Sequence, residues 1–221
     1  MSTCSRVMAT IAASILIMSC GGSRAPSSST GAIPPARAPR LPEPGTYDLD
    51  PPHTFAYFNA QHVVVGMVRG RFDKISGKIT VSKDLSACGV DVSIEAASVS
   101  TQNATRDEDL RSPAFFDATA SPTIEYHGHG IHQVGEKWLL DGALTIRGNT
   151  KPVPLEVRFN GVAPAKGATP KRVAFHAAAT AKRADFGMTR DLLDEIGTTS
   201  DRPDVWIEID AEALQSASAA Q

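Results

Sequence analysis

The chain reads as an all-β protein, an antiparallel sandwich or closed barrel with one short inserted helix, and three observations lead there. Polar and apolar residues alternate in segment after segment from Thr46 to Leu214, the pattern of strands with one dry and one wet face. Turn signals such as Gly135-Glu136 and the stretch from Pro164 to Pro170 separate neighbouring segments. A helical period is almost missing, and no internal repeat of about 20–50 residues suggests a solenoid.

The alternation places strands at 46–50, 54–64, 67–73, 76–82, 89–97, 122–132, 137–147, 152–162, 171–184 and 204–213. Ile79 and Val81 alternate with Lys78, Thr80 and Ser82, and Val90, Val92 and Ile94 with Asp91, Ser93 and Glu95. Trp138, Leu140, Leu144 and Ile146 share a face, as do Val153, Leu155, Val157 and Phe159, then Val205, Ile207, Ile209 and Ala211. Pro154 cannot donate to a ladder and belongs on an edge or at a strand start. The pattern breaks between Thr101 and Asp117. Thr105-Arg106-Asp107-Glu108 has capping-box spacing and Arg111 comes late, so a short helix is expected from Ala104 to Arg111, ending before Ser112-Pro113. It delivers Leu110, then Phe115 and Phe116. Two adjacent Phe cannot both face inward on a strand, which suits a plug over one end of a barrel.

The N-terminus carries an address. Arg6 precedes an apolar run from Val7 to Met18, too short to span a hydrocarbon layer of about 30 Å. Leu16-Ile17-Met18-Ser19-Cys20-Gly21-Gly22 resembles the lipobox of bacterial lipoproteins. That resemblance implies export, lipidation of Cys20 and a membrane attachment through it, on the periplasmic face of the membrane. Ordinary cleavage nearby would leave a periplasmic or secreted protein. The expected organisation is a lipoprotein-type signal peptide over 1–19, a disordered Ser/Pro-rich tether over 20–45, a β-barrel domain over 46–214 and a flexible tail over 215–221. Cys4 would leave with the signal, and Cys88 reads as an unreactive turn thiol, so no internal disulfide is expected. Of 22 basic and 24 acidic residues, four basic and one acidic precede Thr46, which leaves the domain at −5. With no basic stripe interleaved with aromatics, nucleic acid is a poor partner.

A family resemblance sharpens this reading. Asp50 and His53-Thr54, the spacing of Phe58 and His62, Val68-Arg69-Gly70-Arg71-Phe72 and Gly77 begin the match. Thr101, Arg106-Asp107, Leu110-Arg111-Ser112, Phe115-Phe116-Asp117 and Pro122-Thr123-Ile124 carry its most specific part. Leu144-Thr145-Ile146-Arg147-Gly148, Thr150-Lys151-Pro152-Val153 and Asp185-Phe186-Gly187-Met188 complete it in order. The chain resembles the YceI-like family of bacterial periplasmic, polyisoprenoid-binding proteins. The resemblance implies a lipocalin-like antiparallel β-barrel around a long apolar channel, with an isoprenoid lipid, a quinone or a polyprenyl phosphate, as bound ligand.

The residues by themselves reach a similar place less specifically. Small inward residues (Ala56, Ala60, Gly142, Ala177, Ala179) beside large ones (Phe58, Leu140, Val157, Phe175) point to a lumen not filled everywhere, or to an ordinary dry core. Phe72, Ile124 and Leu144 join this wall, with Leu110, Phe115, Phe116 and Phe186 as gate residues. His62, inward beside Phe58, meets either a ligand head or an internal water. Arg69 and Arg71 are head-group contacts if their face lies at the mouth, and a solvated edge otherwise. His127 and His129 point outward together while His132 has the other parity, so no metal site is expected. Arg106, Asp107 and Arg111 suggest a structural charge cluster. Arg183, Asp185 and Arg190 raise the same question, before a loop-like rim to Thr199.

No catalytic motif is present, so neither catalytic residues nor a catalytic cofactor is expected. The leading expectation is a non-catalytic carrier of an isoprenoid lipid in the cell envelope. The alternative is an envelope protein–protein interaction module whose barrel is empty and packed. A homodimer is compatible with either.

Overall fold

The computed structural model describes residues 41–62, 66–188 and 205–217. The leader, Cys20 and most of the expected tether lie outside them, as do the His62 side chain, Arg190 and the segment to Thr199.

Eight long strands run up and down, and four of them are broken by a kink. The first is β1 (Gly45–Leu49) with β2 (Phe55–His62), and the second is β3 (Gly66–Phe72) with β4 (Ile75–Val81). The third is β5 (Gly89–Glu95) with β6 (Val99–Ser100). After the helix α1 (Ala104–Arg111) come β7 (Thr123–Val134) and β8 (Lys137–Ile146). Then follow β9 (Asn149–Pro152) with β10 (Leu155–Ala163), β11 (Arg172–Ala181) and β12 (Val205–Gln215). All pairings are antiparallel, and β12 bonds both to β11 and to the β1–β2 strand, closing the sheet into an eight-stranded barrel. Up-and-down order puts successive connections at alternate ends. The connection after β2, the α1 insertion, the turn 147–148 and the connection after β11 share one end, here the insertion end.

Each kink has a local cause. Pro51-Pro52 forces a 3-10 turn (Pro51–His53) between β1 and β2, and the pairing register on β12 steps by three residues across it. Pro154 stands just before β10, as its missing N–H requires, and the register of β9 on β8 continues unchanged into β10. The third strand turns through Ala96–Ser98. The strand expected at 89–97 thus divides, and β6 and β9 are short pieces the alternation does not resolve.

One side-chain parity departs from expectation. Gly130 is left-handed at φ 71°, and the β7–β8 register shifts between His129 and Ile131. This bulge turns Ile131 inward and puts His132 outside beside Asp141, at 3.2 Å, on the same face as His127 and His129.

The helix lies where expected, but its N-cap is Asn103, whose side chain accepts from Arg106 N at 3.0 Å, and not Thr105. Polar bonds hold it. Buried Asp107 accepts from Thr101 N (2.8 Å) and Thr101 Oγ1 (2.6 Å), and Arg106 Nε donates to the same hydroxyl at 2.7 Å. Arg111 donates to the carbonyls of Ala97 (2.8 Å) and Val99 (3.0 Å). Asp107 thus satisfies a backbone donor, and Arg106 and Arg111 backbone acceptors, at the end of the third strand, which its early exit from the ladder leaves open.

The end of the expected tether belongs to the barrel. Pro42 is buried, Glu43 pairs with Lys171, and its carbonyl accepts from the Tyr47 hydroxyl at 2.7 Å. Tyr47 is fully buried, and it anchors this segment beside Val173 and Ala213.

Neighbouring strands approach closely at Gly77, where an added Cβ would lie 2.2 Å from the Asp91 carbonyl oxygen. Gly77→Ala is therefore expected to destabilise the barrel by roughly 1–3 kcal/mol. The expected readout is a lower urea midpoint at unchanged slope.

Candidate functional site

Inward side chains of all eight strands surround a cavity of about 250 Å³. A void of that size with hydrocarbon walls stays dry and takes apolar guests, whereas a single water needs only about 10–15 Å³. Its wall extends from Leu41 and Trp138 at one end to Leu110, Phe116 and Met188 at the insertion end.

Most of the inward residues expected from alternation line the cavity, though Gly142 and Ala179 are not among them. Ala56, Phe58, Ala60, Phe72, Ile124, Leu140, Leu144, Val157 and Phe175 line the cavity, and Leu110, Phe115, Phe116 and Phe186 line it at the insertion end. An aromatic chain ties the insertion to the wall. The ring centroids of Phe58 and Phe72 are 5.7 Å apart, and Phe116 meets Phe72 edge-on at 5.4 Å. Phe186 is 1% exposed, and the connection carrying it is pinned by Arg147 Nη1 donating to the Gly187 carbonyl at 2.7 Å.

Of the two readings left open for Arg69 and Arg71, the geometry selects the solvated outer face and not the head-group contact. Gly70 is the buried residue of that stretch, so its two neighbours point outside. Arg69 lies over the Tyr57 ring at 5.0 Å and pairs with Glu208 at 3.2 Å. Arg71 lies over Phe55 and pairs with Asp73 at 2.7 Å. Neither lines the cavity. Charge enters the described wall instead at Lys182 and Arg183, just after β11. Arg183 shares the expected inward parity of Ala177 and Ala179, but Lys182 does not, and it reaches the wall because the chain turns just past the end of β11.

Glycines set the bore. The Phe58 ring lies over Gly70, its cross-strand partner, where a Cβ would meet Phe58 Cζ at 2.3 Å. Tyr126 lies across Gly142, where a Cβ would be 2.2 Å from its hydroxyl oxygen. That hydroxyl reaches past β8 to donate to the Val153 carbonyl at 2.9 Å. Burial first, and the Asp141 charge second, hold the phenol well above its ordinary pKa, so it stays a neutral donor. Both rings lie along the wall instead of across the lumen.

Outside the cavity, Asp50, His53 and Glu212 bring metal-type ligand atoms within 4.8 Å of one another, a grouping hidden by sequence distance. Arg172 already supplies the cation there, with Nη1 2.5 Å from oxygens of both carboxylates. Burial would raise the Asp50 pKa, but hydrogen bonds from His53 and Arg172 outweigh it and hold it low.

A family model described as a YceI-like domain matches residues 47–213. Protein YceI of Salmonella newport is 34% identical over 149 residues, covering 66% of this chain and 76% of the relative. The crystal structure of a Campylobacter jejuni YceI protein superposes with a TM-score of 0.59 at 27% identity, over 71% of this chain and 90% of that one. A polyisoprenoid binding domain from Saccharophagus degradans superposes with a TM-score of 0.55 at 18% identity, over 77% and 98% of the two chains, a likeness of fold.

Two outcomes are expected from this geometry. Gly142→Ala should push Tyr126 off Val153 and leave a buried carbonyl unbonded, lowering stability by roughly 1–3 kcal/mol in denaturant titration. His127, hydrogen-bonded by Asp91 at 2.8 Å, has its pKa raised above 6.5. Its stabilisation is complete below the unfolded-state value and is lost as pH rises through the folded value. Exposure of the pair keeps that contribution small. An NMR titration should place the His127 midpoint above 6.5 and Asp91→Asn should lower it.

Proposed function

The chain belongs to the YceI-like domain family, and on that premise we propose that it binds an isoprenoid lipid inside the barrel, as a carrier or store without a catalytic cycle. The cavity carries this reading. Its wall is hydrocarbon over most of its length, and the barrel end where α1 and Phe186 lie is where a chain would enter. Burying a methylene contributes about 0.8 kcal/mol, so ten carbons of chain bring roughly 8 kcal/mol before association costs. Tight binding then needs little polar recognition. The polyisoprenoid-binding domain of Saccharophagus degradans supports the same ligand class through its likeness of fold.

A quinone or a polyprenyl phosphate fits this role. The lipobox-like Leu16 to Gly22 and the Ser/Pro-rich segment after it support a lipoprotein tethered through Cys20 on the periplasmic face of a bacterial membrane, close to such lipids. A non-catalytic role is supported by how the wall's buried polar groups are used. The Tyr126 hydroxyl is spent on Val153, and the Cys88 thiol sulfur accepts from Ser82 N at 3.3 Å.

The decisive experiment is mass spectrometry of an organic extract from protein purified from its native membrane fraction, alongside Ala60→Phe. Ala60 lines the cavity and faces Val68 and Val205 across the ladder, so a Phe there projects into the lumen. A stoichiometric isoprenoid, reduced at least about twofold in folded Ala60→Phe, is the expected result. Lipid-free wild-type protein that takes up neither added quinone nor polyprenyl phosphate would favour an interaction module instead.

A further inference from the structure

Among the described residues, the cavity wall carries charge at one end only. Its two buried wall residues with a polar hydrogen, Tyr126 and Cys88, are engaged by Val153 and Ser82. Among the described residues, charge enters the wall only at Lys182 and Arg183, on the connection that leaves β11 at the insertion end. Arg183 already has a partner within the protein. Lys182 is half-buried and forms no ion pair with any described residue. The far end closes on apolar Leu41, which Pro42 and the Glu43–Lys171 pair hold in place.

We propose that the lumen is built for an anionic amphiphile, with the charged head against the Lys182 ammonium at the insertion end and the hydrocarbon chain directed toward Leu41. The inference rests on the lipid-binding reading and narrows it. An isoprenoid phosphate suits the site better than a neutral quinone of equal chain length. A phosphate against an ammonium at the rim of the cavity forms charge-assisted hydrogen bonds that a neutral carbonyl cannot match. The chain contributes affinity without regard to the head, so Lys182 acts on head choice.

The test compares geranylgeranyl phosphate with geranylgeraniol on the full chain, in competition with a fluorescent fatty probe. Wild-type protein is expected to prefer the phosphate by roughly tenfold. Lys182→Gln should bring that ratio to within about twofold of unity, and Lys182→Arg should restore it. Added sodium chloride should shrink the wild-type preference, a readout independent of any variant. Excess inorganic phosphate should leave the lipid bound. Equal wild-type binding of the two lipids, or a ratio kept in Lys182→Gln, would overturn the head assignment while leaving lipid binding intact. Displacement by inorganic phosphate alone would reassign Lys182 to a free-anion site. Failure of both lipids to bind would overturn the lipid reading and this inference with it.

Discussion

The seam where β12 meets the first strand turns a sheet into a container, and the cavity depends on it. β12 is long enough to pair with β2 through its first half and β1 through its last residues, although the 3-10 turn between them adds three residues. Polar anchors sit at that turn. The Thr54 hydroxyl donates to the Glu212 carbonyl at 3.0 Å, and Asp50 N to the same oxygen at 2.8 Å. Arg172 reaches across from β11 to Asp50 and Glu212. Closure removes the sheet's edges and encloses its dry face.

A closed barrel of this size is easily filled by its own side chains, so the surviving void has its own cause. Gly70 and Gly142 give up their side chains so that Phe58 and Tyr126 lie flat against the wall. Ala56, Ala60 and Ala177 leave the neighbouring wall thin. Aromatic area still lines the cavity, and hydrocarbon contact is retained while the bore stays open.

The two ends of the lumen are made differently. At the insertion end, α1 has Leu110 as its one large apolar side chain and is held by Asp107, Arg106 and Arg111 bonding to strand-end backbone. Phe115 and Phe116 can therefore serve the cavity instead of the helix's own anchoring. At the other end, Leu41 comes from the segment just ahead of β1, so the last residues of the expected tether also floor the cavity.

Alternation made the strands and the inward wall from Ala56 to Phe175 legible, because side-chain direction follows from a two-residue repeat that needs no distant partner. The helix was legible for a similar reason, in the charges and Ser112-Pro113 that bound it. His132 was misplaced because one left-handed residue, Gly130, shifts the parity after it, and nothing nearby in sequence marks which glycine will bulge. Arg69 and Arg71 could be placed at a mouth or an edge only once the barrel had closed. Lys182, Leu41 and the Asp50–Arg172–Glu212 lock were invisible, since each acts on groups far along the chain. Local periodicity decides which way a residue faces. Whether that direction leads to a packed core or an open lumen is decided by closure, kinks and ring placement, which belong to contacts between strands and to no single strand.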